Sequence, residues 1–189
     1  IAALVAVLIA GLCPRLLQAA PTSYTGTLTW TNDALNTPLS VNSVGADAGW
    51  FSSDTSVSWT VDNTTTPGLW HYKYTITVRD GGTLSTDIQC VILETSPTFS
   101  WDNLISTSTA PADWLASVDI GSFSRWDNQN LPSDSMYGVM FCTSTVDPTT
   151  LTISFDSDRE PVWGDIYVRS FTDNGSYNTL SNKGGPDTD

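Results

Sequence analysis

From Trp70 to Arg79 every second side chain is apolar. Trp70, Tyr72, Tyr74, Ile76 and Val78 fall on one side, and His71, Lys73, Thr75, Thr77 and Arg79 fall on the other. A period of two is the repeat of an extended strand, whose successive side chains point to opposite faces. The segment therefore has one face for a core and one for water, the division that antiparallel sheets allow. Each large side chain on the apolar face gains roughly 1.5–3 kcal/mol on burial, so a charge at Ile76 is incompatible with folding.

The same period recurs along the chain. Leu28 and Trp30 share a side, as do Val57, Trp59 and Val61. Residues 87–95 are apolar on both faces, with Ile88, Cys90 and Ile92 against Val91 and Leu93, which is the pattern of a central strand covered twice. Shorter strand-like runs occupy 118–123 and 136–143. Residues 151–155 and 162–169 flank an acidic turn holding Pro161, a hairpin-like arrangement. Gly81-Gly82, Pro97, Pro111, Pro132 and Asp147-Pro148 punctuate these runs. Beyond residue 20 no helical period is sustained. Charged residues make up only 14% of the chain, while aromatics reach 11% with eight Trp, and Thr, Ser, Asn and Gly fill the rest. That mixture favours strands and turns. The expectation is an all-β fold, an antiparallel β-sandwich of jelly-roll-like form, with an immunoglobulin-like sandwich as the alternative.

Residues 1–13 are an apolar run, interrupted at Pro14-Arg15 and followed by Leu-Leu-Gln-Ala-Ala up to Ala20. This is shorter than the roughly 20 residues of a comfortable membrane span. It matches the apolar and cleavage regions of a secretory signal peptide whose basic start is missing, a retained anchor being the competing reading. The expected organisation is a signal peptide, forming a signal helix, over 1–20, a sandwich over 21–171, and a loop or the start of a C-terminal linker over 172–189. Export removes Cys13 and leaves Cys90 and Cys142. A disulfide between them is permitted outside the cytoplasm, and two buried thiols packed as small apolar groups are the alternative.

The formal net charge is −13. Phosphate backbones are repelled, which excludes a nucleic-acid partner. Solubility outside a cell accounts for such a charge, as does loose attraction for Ca²⁺ or basic partners.

Four segments in order carry a family likeness: 68–78 (GLWHYKYTITV), 87–96 (DIQCVILETS), 136–141 (MYGVMF) and 153–167 (ISFDSDREPVWGDIY). The series resembles secreted bacterial proteins that carry the PEP-CTERM sorting signal, most specifically over 155–167. Family members have a C-terminal Pro-Glu-Pro, an apolar helix and a basic end, which these 189 residues do not include. They often carry a His after Asp-Ile-Ser, where this chain has Gln89-Cys90. The resemblance implies export from a Gram-negative bacterium, sorting by an exosortase, and a secreted or cell-surface location. It also implies association with exopolysaccharide or other proteins of the biofilm matrix. Membrane contact is then made only through the signal or a C-terminal anchor. The resemblance implies no catalytic residue.

Candidate chemistry is sparse. The only His, His71, lies on the polar face of its strand with no acid near it in sequence, which argues against a hydrolytic triad. Glu94, Glu160 and Asp165 are the carboxylates available for glycoside hydrolysis, but bonds from Glu94 and Asp165 to backbone or arginine are the preferred account, and fold alone supports no activity. Asp156 and Asp158 resemble the opening of a Ca²⁺ loop without its glycine or distal glutamate, and Arg159 stands beside them to neutralise the pair. Trp163 and Tyr167 alternate along one strand face with Asp165 between them, an arrangement able to form a carbohydrate-binding platform. A strand buried on both sides is the alternative there. The reading is thus a non-catalytic matrix or surface protein with no cofactor, or with Ca²⁺ at most, and a carbohydrate-binding module as the second possibility.

Overall fold

The computed structural model describes residues 20–29, 35–36, 50, 54–78, 88–128, 130–143, 148–171 and 177–182. The expectations for the signal helix and for Cys13 lie outside them. Eleven strands are formed among the described residues: β1 (Ser23–Thr29), β2 (Leu35–Asn36), β3 (Ser56–Asp62), β4 (Trp70–Thr77), β5 (Cys90–Glu94), β6 (Leu104–Ala110), β7 (Ser117–Ser124), β8 (Ser135–Cys142), β9 (Thr150–Ser157), β10 (Ile166–Phe171) and β11 (Tyr177–Asn182). A 3-10 turn, Trp101–Asn103, precedes β6.

The strands build two antiparallel sheets, as the alternation predicts. One has the order β1-β3-β4-β9-β6 and the other β2-β11-β10-β5-β8-β7. In the five-stranded sheet, register aligns the alternating residues into inward rows. Leu28, Val57, Ile76 and Leu151 form one row, and Tyr24, Val61, Tyr72 and Phe155 another. In the six-stranded sheet Leu180, Val168, Val91, Phe141 and Val118 lie side by side. These rows meet in one core, in which Ile76, Val91, Phe141, Leu151 and Val168 are fully buried. Trp114 closes one side of it, its indole N–H donating to the Ile88 carbonyl at 2.8 Å.

β5 is central and apolar on both faces, as its sequence indicates. Its outward residue Ile92 joins Phe123, Leu131, Met136 and Tyr167 in a second, smaller core. The connection from β7 to β8 covers that patch, so the polar loop expected over 128–135 hides a buried Leu131. Cys90 and Cys142 stand opposite each other on β5 and β8 and are joined by a disulfide, with Cα atoms 4.2 Å apart.

Three expectations need correction. Residues 151–155 and 162–169 do not form a hairpin, because β9 pairs with β4 and β6 in one sheet while β10 pairs with β5 and β11 in the other. The acidic turn between them is a crossover from sheet to sheet. The strand expected from Val162 begins only at Ile166. Finally, the loop expected over 172–189 contains β11, which lies between β10 and β2. Its Asn178, Thr179, Leu180 and Ser181 are buried, so the ordered sandwich runs on past residue 171. Backbone pairing with β10 and β2, rather than an apolar alternation, makes this strand.

Candidate functional site

The crossover between β9 and β10, residues 158–165, arches over the inner face of the five-stranded sheet and leaves a cleft of about 380 Å³. That volume falls within the roughly 300–1,000 Å³ of small-molecule sites. Its floor is aromatic because β1, β3 and β4 present Tyr24, Trp59, Tyr72 and Tyr74 on their inward rows, while its rim is the segment from Pro161 to Asp165 with Glu94 at the end of β5.

Trp59 lies flat across β1 because its register partner is Gly26, where any Cβ would run into the indole. The rings of Trp59 and Trp163 meet edge to face, with centroids 6.1 Å apart and planes at 87°. Tyr24 stacks on Trp70 at 6.2 Å, and Tyr72 stacks on Phe155 at 4.7 Å with planes 4° apart. Burial raises the phenols of Tyr72 and Tyr74 above their ordinary range, Tyr74 to about 12. Both stay protonated and able to donate at neutral pH. The Tyr72 hydroxyl does so, to the Arg159 carbonyl at 2.9 Å, which ties the crossover to the five-stranded sheet.

The other end of the crossover is tied to the six-stranded sheet by carboxylates. Glu94 Oε2 accepts the Asp165 N–H at 2.7 Å, and the Glu94 N–H donates to the Asp165 carbonyl at 2.9 Å. Asp165 Oδ1 accepts from Asn182 Nδ2 at 2.8 Å, and Asn182 Oδ1 accepts the Ile166 N–H at 2.8 Å. A Cβ at Gly164 would sit 3.1 Å from that of Glu94, so the glycine lets the rim close onto β5. These bonds hold the ends of β5, β10 and β11 together and orient both carboxylates.

The expected platform of Trp163, Asp165 and Tyr167 is only partly assembled. Trp163 and Asp165 line the cleft, and Trp163 is 66% exposed. Tyr167 is wholly buried in the second core on the opposite side of the six-stranded sheet. The reason is that 162–165 lies outside β10, so the alternation assumed for it does not apply. Trp59 takes the place expected of Tyr167. No spacing rule would have found it, because β3 and the crossover meet only through the packing of the two sheets.

On the outer face of the five-stranded sheet, register sets His71 opposite Asp156. His71 Nδ1 lies 2.8 Å from Asp156 Oδ1, and Thr66 and Ser106 donate to the same carboxylate at 3.0 and 2.8 Å. Burial pushes this carboxyl up, but the bonds from His71, Ser106 and Thr66 outweigh it and hold it below the usual range. The acid partner that sequence neighbours did not supply to His71 thus comes from β9. Ser106 bonds the carboxylate and not the imidazole, which is the wrong order for an activated hydroxyl. Asp158 accepts from Asn103 Nδ2 at 2.9 Å, separately from Asp156. Arg159 does not neutralise that pair; it donates to Ser96 Oγ and Thr98 Oγ1 at 3.2 and 2.7 Å. Among the described residues no group of three or more His, Cys, Asp or Glu is placed to hold a metal ion. Among them also, no helix is long and apolar enough to cross a membrane.

No family model matches this sequence, and neither a curated protein nor a solved structure was found to match it. What fold and cleft define is an all-β, two-sheet protein with an aromatic cleft rimmed by carboxylates.

Proposed function

We propose that this chain is a secreted, non-catalytic extracellular or cell-surface protein that associates with exopolysaccharide of a biofilm matrix, and that the aromatic cleft is its carbohydrate-binding site. The observation that carries this reading is the pair of indoles, Trp59 in the floor and the exposed Trp163 at the rim, converging on a cavity of about 380 Å³. Pyranose rings have apolar C–H faces and polar edges. Flat aromatics accept the first, and carboxylate and amide groups such as Glu94, Asp165 and Asn182 bond the second. Glu94 and Asp165 are held in hydrogen bonds that join strand ends, which speaks for binding and against acid–base catalysis.

The likeness of the four sequence segments to PEP-CTERM proteins supports export from a Gram-negative cell, and sorting by an exosortase belongs to the same proposal. A jelly-roll-like topology belongs to it too. Its support is that the chain stays in one sheet only from β3 to β4, from β7 to β8 and from β10 to β11, and changes sheet at every other step between successive strands.

The test is affinity electrophoresis of the protein against soluble glucan, chitosan and alginate. Retardation by at least one polysaccharide is expected. Trp163→Ala should weaken it about tenfold or more, which corresponds to about 1.4 kcal/mol. Its melting temperature should stay that of the parent, because the ring is mostly outside the core. Migration unaffected by every polysaccharide would overturn the proposal, as would retardation that Trp163→Ala leaves unchanged.

A further inference from the structure

We infer that the cleft takes a single glucan chain at a turn, where neighbouring rings face different ways, and not a straight chain or the flat face of a crystalline polymer. The inference rests on the carbohydrate reading above and specifies the shape of its ligand. Two planes define the site. Trp59 is the floor: a Cβ on Gly26 would run into the benzene half of its indole, so one face is pressed on β1 and the other is left to the cleft. Trp163 is the wall: its plane stands at 87° to the floor, with the ring centroids 6.1 Å apart. The scaffold sets this angle. Trp59 cannot tilt towards β1, because the Gly26 backbone is in the way. The backbone that carries Trp163 is fastened on one side by the Tyr72 hydroxyl to the Arg159 carbonyl and on the other by Glu94 to the Asp165 N–H. An edge-to-face contact is moreover one of the arrangements that aromatic pairs prefer.

A pyranose gains from an aromatic ring by laying its C–H face on it. In a straight chain these faces lie in one ribbon, as they do on the surface of a crystalline polymer. Such a ribbon laid on Trp59 runs edge-on into Trp163. Laid on the exposed Trp163, it does not reach Trp59, which is partly buried beneath the crossover. A chain whose neighbouring rings are turned lays one ring on each indole. A site preformed in this way binds such a chain without first having to order itself. Glucose is the hexose for these surfaces, because its ring hydroxyls are all equatorial and leave both C–H faces bare. Its chains carry no charge, so the net −13 of the protein does not oppose their approach as it opposes that of a uronate or sulfate polymer.

The experiment is isothermal titration of the full chain with laminarihexaose and maltohexaose, whose linkages turn neighbouring rings, and with cellohexaose, whose linkage keeps them in one ribbon. The probes share the same uncharged glucose rings and the same length. Sedimentation with crystalline cellulose tests the flat face. At least one turned hexaose should bind about tenfold tighter than cellohexaose or more, the weight of one aromatic stacking contact, and the protein should stay in solution above the cellulose. Trp163→Ala removes the wall and leaves the floor. It should bring the affinity for the turned chains down to that for cellohexaose, with a melt checking that the fold is kept. Trp163→Phe retains an aromatic wall and should retain the preference. Cellohexaose bound as tightly as both turned chains, adsorption to cellulose, or a preference that survives Trp163→Ala would overturn the inference while leaving a glycan site standing. Absence of heat with every hexaose would overturn it as well, and the affinity electrophoresis above then decides the carbohydrate reading separately.

Discussion

At the end of β3 the Asp62 carboxylate gathers four hydrogen bonds from two threonines. Oδ1 accepts the N–H groups of Thr64 and Thr65 and the Thr64 hydroxyl, and Oδ2 accepts the Thr65 hydroxyl. Burial disfavours its charged form, but these bonds outweigh that and lower its pKa from 3.8 to about 2. A carboxyl lowered on folding contributes stability that is complete above its unfolded pKa near 3.8. That contribution is lost as the pH falls through about 2. Asp62→Asn is therefore expected to lose about 1–2 kcal/mol at pH 7, in the range of charge-assisted bonds, measured by urea unfolding. The gap to the parent should close as the pH approaches 2. A gap of the same size at both pH values would mean that the charge is not what closes this turn.

Among elements, β5 bears the most constraint. It lies inside the six-stranded sheet, is apolar on both faces and is cross-linked to β8 by Cys90 and Cys142. The bridge closes a loop 52 residues apart in sequence. Replacing both cysteines by Ala should cost about 2–4 kcal/mol in thermal or urea unfolding, chiefly by freeing the unfolded chain. An unchanged midpoint would show that the ladder alone sets this pair. β4 and β5 were legible in the sequence because their apolar residues keep a strict period or fill both faces. β11 was not, since Asn178, Thr179 and Ser181 are buried without being apolar, and no alternation marks a strand held by its backbone pairing with β10 and β2. The β9–β10 pair misled for another reason: turn residues show where strands stop, not which sheet the next one joins. The site divides in the same way. Trp163 and Asp165 could be picked from their types and spacing. Trp59 could not, because only sheet-on-sheet packing brings it to them. Tyr167 was drawn in by starting the strand at Val162 and running it through Gly164, where the chain is still the crossover and outside the ladder.

For the whole molecule, the continuation of the sandwich to Asn182 has a measurable weight. A chain ending at residue 171 loses the wholly buried Leu180, a full row of pairing along β10, and the Asn182 amide that holds Asp165. Against a chain ending at residue 182 it should be destabilised by about 3 kcal/mol or more, read from melts of the two, since one buried leucine alone accounts for about 2. Equal melts would make β11 an appendage. The crossover is anchored at both ends, by the Tyr72 hydroxyl to one sheet and by Glu94 to the other, while Val162 and Trp163 between those anchors stay outside the core. Taste and architecture are thereby uncoupled. Val162 and Trp163, between the two fastenings, can be exchanged for others without disturbing the greasy interior, so one scaffold can carry a succession of different rims by rewriting a handful of codons.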